Sequence, residues 1–194
     1  DSIVDLNRAF AHSGAYAAQG PGINTGISFC LAKVDPEGGN SSGITRTRSA
    51  LGSFDKDIED DKLKNLAYWN SREYCNIWFV EEVKNEYMTS FACGNWSRKH
   101  DIGYSTFNEG TDALDGIVTS RFGPELARLM GSWLGLKYTF AGGCSNTNCD
   151  TDGDGVCDTS PASGPAASSS TVQNSCRTDT LSGYGADMPD LNSN

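Results

Sequence analysis

After Phe140 the chain stops supplying large apolar side chains. Residues 141–194 are rich in Gly, Ser, Asp, Asn and Pro, a stretch that cannot close a hydrophobic core of its own. Such a segment keeps a fold through disulfides, through a bound metal ion, or by lying on a core built elsewhere. The core must come from residues 1–140. The 194 residues are therefore expected to form one structural domain of two textures, 1–140 and an irregular 141–194. Apolar residues make up 37% and aromatics 10%, enough for a packed interior and too many for a disordered chain.

Within the first 140 residues the clearest element is a helix. Gly123 suits its cap, Pro124 its first turn, and Glu125 the positive end of its dipole. Leu126, Leu129, Met130, Trp133 and Leu134 follow at i, i+3, i+4, i+7 and i+8 and form one apolar stripe, and Gly135 ends the run. Ile3, Val4, Leu6 and Phe10 predict an opening amphipathic helix. Ile27–Leu31, Cys75–Val80 and Ile117–Thr119 read as strands of one sheet. Ile44–Arg48 and Ile102–Ser105 are shorter candidates, and Asp55–Asp61 reads as a solvated loop or helix start. The pattern is α+β.

Charge narrows the function. There are 15 Lys and Arg against 25 Asp and Glu, a net charge of −10. Phosphate binding needs the opposite balance, so nucleic acid is not an expected partner. Apolar runs are too short to cross a bilayer. Seven cysteines without paired Cys-x-x-Cys spacing point to an oxidising compartment, and the chain is read as part of a secreted or cell-surface protein. Asp1-Ser2-Ile3-Val4-Asp5 does not have the make-up of a signal peptide. Because the coreless segment needs staples, its cysteines are expected to bridge among themselves, as Cys144–Cys176 and Cys149–Cys157. Cys75–Cys93 would then bridge across the strand region and leave Cys30 free in the core. Asn40-Ser41-Ser42 and Asn95-Trp96-Ser97 are glycosylation sequons, of consequence only in a host that uses them.

Two kinds of metal donor stand out. Asp150, Asp152, Asp154 and Asp158 fall at the first, third, fifth and ninth positions of an EF-type loop, with Gly155 at the sixth. Position twelve, where a bidentate Glu belongs, is Pro161, so the loop is not an EF-hand. Four carboxylates in nine residues nevertheless repel unless a cation neutralises them, and calcium is the expected occupant. The two histidines, His12 and His100, are 88 residues apart in polar surroundings and read as surface residues rather than ligands. No HExxH and no GxSxG is present.

Gly131-Ser132-Trp133-Leu134-Gly135-Leu136-Lys137-Tyr138-Thr139-Phe140, followed by Gly142-Gly143-Cys144, resembles the active-site segment of the pappalysin (cytophagalysin) metallopeptidases of the metzincin clan. Their pattern there is HExGHWLGLxHTF and then Gly-Gly-Cys. Further pieces agree in order: Asp5–Phe10, Ile27–Ala32 with Asp35-Pro36-Glu37-Gly38, Gly43–Arg46, Tyr74–Trp78, Gly103–Phe107, Asp115–Val118 and Asp154–Thr159. The resemblance runs through nearly the whole chain. It implies a metzincin-like twisted mixed sheet with two main helices and a disulfide- and calcium-stabilised C-terminal segment. It also implies that the chain stops before the family's Met-turn and is a piece of a longer polypeptide.

The chemistry departs from the pattern. Zincins place two His at i and i+4 on one helical face with a Glu beside the first as general base, and metzincins add a third His after the Gly turn. Aligned without gaps, these positions are Arg128, Ser132, Tyr138 and, for the base, Leu129. None of the four can do the work of the residue it replaces, so zinc is not expected. The expected function is that of a catalytically inactive pappalysin-like module that binds a protein or peptide, or serves other domains of a longer chain. The alternative is an active zinc metalloendopeptidase using imidazoles outside this alignment, His12 or His100.

Overall fold

A computed structural model describes residues 2–18, 22–85, 99–106, 115–138, 140–145, 148 and 153–156. The chain divides into two compact units, Asp1–Leu134 and Gly135–Asn194.

The first unit is α+β. Its elements are α1 (Ser2–Phe10), β1 (Ser53–Asp55), α2 (Lys56–Lys64), β2 (Ile77–Phe79), β3 (Glu82–Asn85), β4 (Lys99–Asp101), β5 (Gly103–Thr106), β6 (Gly116–Thr119) and α3 (Pro124–Trp133). Among the described residues the strands form two small mixed sheets, in the orders β1-β3-β4 and β2-β6-β5. β6 runs parallel to β2, with Ile77 opposite Ile117, and antiparallel to β5, with Tyr104 opposite Val118. Only Val80 and Glu81 separate β2 from β3, so one extended run serves both sheets.

β6 is the centre of the unit, and all four of its residues are buried. Successive side chains in a strand point to opposite faces. Ile117 accordingly joins Leu6 of α1 and Leu126, Leu129 and Met130 of α3. Val118 joins the other cluster, with Phe54, Leu63, Trp78, Val80 and Val83. Gly116 is indispensable at the strand's start. Its φ is +146°, and a Cβ there would lie 2.5 Å from Trp78 Cζ3. Gly103 lets α3 approach β5 closely: a Cβ at this position would meet Leu129 Cδ1 at 2.8 Å.

α3 is built as its sequence dictates, from Gly123 at the cap (φ +82°) and Pro124 in the first turn to Leu134 at the end, whose N–H donates to the Met130 carbonyl. Gly135 follows at φ +97°, the left-handed conformation that commonly closes a helix. Leu134, counted in the apolar stripe, is 44% exposed.

α2 completes the Asp55–Asp61 stretch. The Asp55 carboxylate accepts from Asp57 N at 2.9 Å, with acidic residues in the first turn and lysines in the last. Three α-helices are thus described instead of two main ones. Lys64, fully buried, is tied to Asp60 Oδ2 (2.9 Å) and Thr106 Oγ1 (2.9 Å) and lies over the rings of Trp78 and Tyr104. This polar knot fastens α2 to β5.

Two expected strands do not form. Ile27–Ala32 forms no strand and joins no sheet. Its backbone is held by a side chain, since Asn7 Nδ2 donates to the Phe29 carbonyl (2.9 Å) and Phe29 N donates to Asn7 Oδ1 (2.7 Å). The Asn7 amide stands in for a neighbouring strand. Ile44–Arg48 is likewise outside any strand, and all five of its residues are exposed. The expected Cys75–Val80 strand is confined to Ile77–Phe79.

In the second unit the described residues are irregular. The Tyr138 and Phe140 rings stack at 5.0 Å, Gly143–Ser145 forms a 3-10 turn, and Val156 N donates to Asp154 Oδ1 at 3.0 Å.

Candidate functional site

Three of the four positions that would carry zinc chemistry lie on α3. Arg128 and Ser132 are one turn apart and half-buried. Arg128 is engaged within its own helix, donating from Nε (3.1 Å) and from Nη2 to Glu125 Oε1. Leu129, at the position of the general base, is 2% exposed in the cluster of Leu6, Ile117, Leu126 and Met130. Tyr138 belongs to the second unit and is 45% exposed, stacked on Phe140.

These groups do not fit zinc. A guanidinium carries five N–H donors, no acceptor, and a charge it does not lose. A serine hydroxyl and a tyrosine phenol are not the neutral imidazoles that such a site uses. An aliphatic side chain packed among aliphatics cannot draw a proton from water. Among the described residues, no three His, Cys, Asp or Glu side chains gather as a metal-holding group. His12 lies in the turn after α1 in a left-handed conformation (φ 46°), its ring against Gly22, and His100 lies on β4.

Below α3 a second polar pair was not signalled by the sequence. Trp133 Nε1 donates to Asp115 Oδ1 at 2.6 Å, and Asp115 is 9% exposed. Cys75 packs beside this apolar cluster as a free thiol, so no Cys75–Cys93 bridge exists. Burial first, then the neighbouring Asp115 charge, pushes its pKa up to about 12. Cys30 is free as expected, yet it is exposed instead of in the core, because the Ile27–Ala32 run never enters a sheet. Cys144 is disulfide-bonded. Its expected partner Cys176, like Cys93, Cys149 and Cys157, lies outside the described residues, as do Asp150, Asp152 and Asp158 of the acidic loop.

Glu125 was legible as a first-turn acid but not as the partner of Arg128, although a spacing of three on a helix already brings such side chains together. Among the described residues, no helix is long and apolar enough to cross a membrane.

The fold and the sequence both have known counterparts. Two structures of mirolysin, one in complex with compound 9 and one of the mature Tannerella forsythia protein with a cleaved peptide, superpose with a TM-score of 0.66 at 23% identity. They cover 97% of this chain and 74% of their own. A Tannerella forsythia promirolysin mutant gives 0.64 at 22% identity, covering 97% of this chain and 65% of its own. At that identity the likeness establishes the fold. No curated protein matches the chain. The sequence model described as Pregnancy-associated plasma protein-A matches residues 57–190, well over half of the chain. The chain therefore belongs to that metallopeptidase family, peptidase family M43, the pappalysins.

Proposed function

We propose that this chain is a catalytically inactive pappalysin domain that serves as a binding or structural module of a secreted or cell-surface protein. One observation carries the proposal: the general-base position is held by Leu129, 2% exposed and packed among aliphatic side chains. Peptide hydrolysis at zinc needs a base beside a metal-bound water. Here no base is placed there, and the ligand positions offer Arg128, Ser132 and Tyr138. Calcium in the Asp150–Asp158 loop and the bridges Cys144–Cys176 and Cys149–Cys157 are proposed to hold the C-terminal segment, with a protein or peptide partner or further domains of a longer chain as what the module serves. The test is metal analysis of purified chain together with a peptide-library cleavage assay. Less than about 0.1 zinc per chain and no cleavage is the expected result. Stoichiometric zinc with cleavage that 1,10-phenanthroline abolishes would establish an active metalloendopeptidase instead.

A further inference from the structure

Zinc is the group this family implies and the α3 residues do not accept. We infer that its place on the helix is taken by a charge that the chain carries itself, Arg128 pinned by Glu125, so that the fold stands without zinc and keeps zinc out. The inference rests on the inactive reading above and extends it from missing ligands to a replaced charge.

The geometry is specific. Arg128 occupies the position of the first metal-binding imidazole. Two of its N–H groups, on Nε and Nη2, converge on the single oxygen Glu125 Oε1. The side chains are 34% and 20% exposed, so neither charge is fully solvated. Partial burial makes either charge alone costly and the pair worth more than a fully exposed one. The order also suits the helix, with the acid in the first turn at its positive end and the base three residues on. A guanidinium that cannot deprotonate repels a dication arriving at this position, and the Glu125 carboxylate, a donor an incoming metal would use, is already engaged. Metal binding ordinarily adds to the stability of a fold whose ligands it gathers. Here an internal ion pair ties the same stretch of helix, and the tie does not depend on metal supply.

The test uses the full chain in millimolar calcium, which keeps the acidic loop saturated. Melting is followed with and without zinc and with and without 1,10-phenanthroline, for the wild type and a cycle of Arg128→Met, Glu125→Gln and the double variant. The wild-type midpoint should not move with zinc or with the chelator. Each single variant should melt about 1–4 °C lower. The double variant should lose less than the sum, a coupling of about threefold or more in the unfolding equilibrium constant. Arg128→Lys keeps the charge and should keep most of the stability while still excluding zinc. This conservative variant carries the test if a single truncation fails to fold, and zinc uptake or full truncation-like loss by Arg128→Lys overturns the inference. An additive cycle overturns it and leaves the inactive reading standing. Zinc bound by the wild type without cleavage also overturns the inference alone. Zinc bound with cleavage removes the inactive reading itself.

Discussion

Leu129→Glu restores the residue type that a zincin places beside its first imidazole, and in this fold the substitution should be close to lethal. Leu129 is 2% exposed among Leu6, Ile117, Leu126 and Met130. Losing the leucine's burial costs about 2–3 kcal/mol. The described residues packed around it are apolar, so the new carboxyl is expected to stay protonated. Holding a glutamate neutral at pH 7, against an unfolded pKa near 4.3, costs about 3.5 kcal/mol more. The total of about 6 kcal/mol rivals the whole stability of a typical domain. The pH dependence has a definite sign. The folded pKa is raised above the unfolded one, so the second penalty is absent below about pH 4 and grows as pH rises from there. Urea unfolding followed by circular dichroism at pH 4.5 and pH 7 measures it. Relative to wild type, Leu129→Glu should recover about 3 kcal/mol at the lower pH, while Leu129→Gln should be destabilised almost equally at both. A Glu variant within about 1 kcal/mol of wild type at pH 7 would place position 129 in solvent, and with it would go the case against a catalytic base.

Cys30 should react rapidly with iodoacetamide at pH 8 while Cys75 stays protected until urea opens the fold, and mass mapping after a short pulse separates the two. Because the Cys75 pKa is raised to about 12, folded stability should also fall as pH rises above about 9, where the unfolded thiol ionises and the folded one does not; a Cys75→Ala variant should lose that part of the slope. Gly116→Ala should cost at least about 3 kcal/mol in urea unfolding, since its φ of +146° opposes a side chain and an added Cβ would lie 2.5 Å from the Trp78 ring. Excess EDTA should lower the melting midpoint and added calcium restore it, with Asp152→Asn blunting the response; a midpoint indifferent to EDTA would remove calcium from the account.

What the sequence could and could not reveal follows from how local the signal was. α3 was legible because a five-residue apolar stripe, Gly123, Pro124 and Gly135 all lie within one short window. α2 showed only as a helix start, because Lys56–Lys64 carries two large apolar residues, Ile58 exposed and Leu63 buried, and is otherwise charged. Ile27–Ala32 has the composition of a strand, but strand formation depends on a partner, and its partner is the Asn7 side chain some twenty residues earlier. Lys64 gives no local sign of full burial; Asp60 lies one turn away, while Thr106, Trp78 and Tyr104 come from distant strands. Cysteine pairing is set in three dimensions, and spacing alone does not reveal that Cys75 is a free, half-buried thiol outside the expected Cys75–Cys93 bridge. The positions aligned with the family's zinc ligands were legible from the motif alone. What only the fold could add was that Leu129 is sealed in the core and that Arg128 is held by Glu125.

The most direct measurement is zinc uptake by a chain whose three ligands have been put back. Arg128→His, Ser132→His and Tyr138→His together leave Leu129 in the core and change only the positions aligned with imidazoles. By equilibrium dialysis with metal analysis, the triple variant should bind about one zinc per chain with sub-micromolar affinity, while the wild type beside it binds none. A triple variant that folds and takes up no zinc, or a wild type that already holds one, would contradict the claim that this is a peptidase scaffold with its metal site dismantled residue by residue.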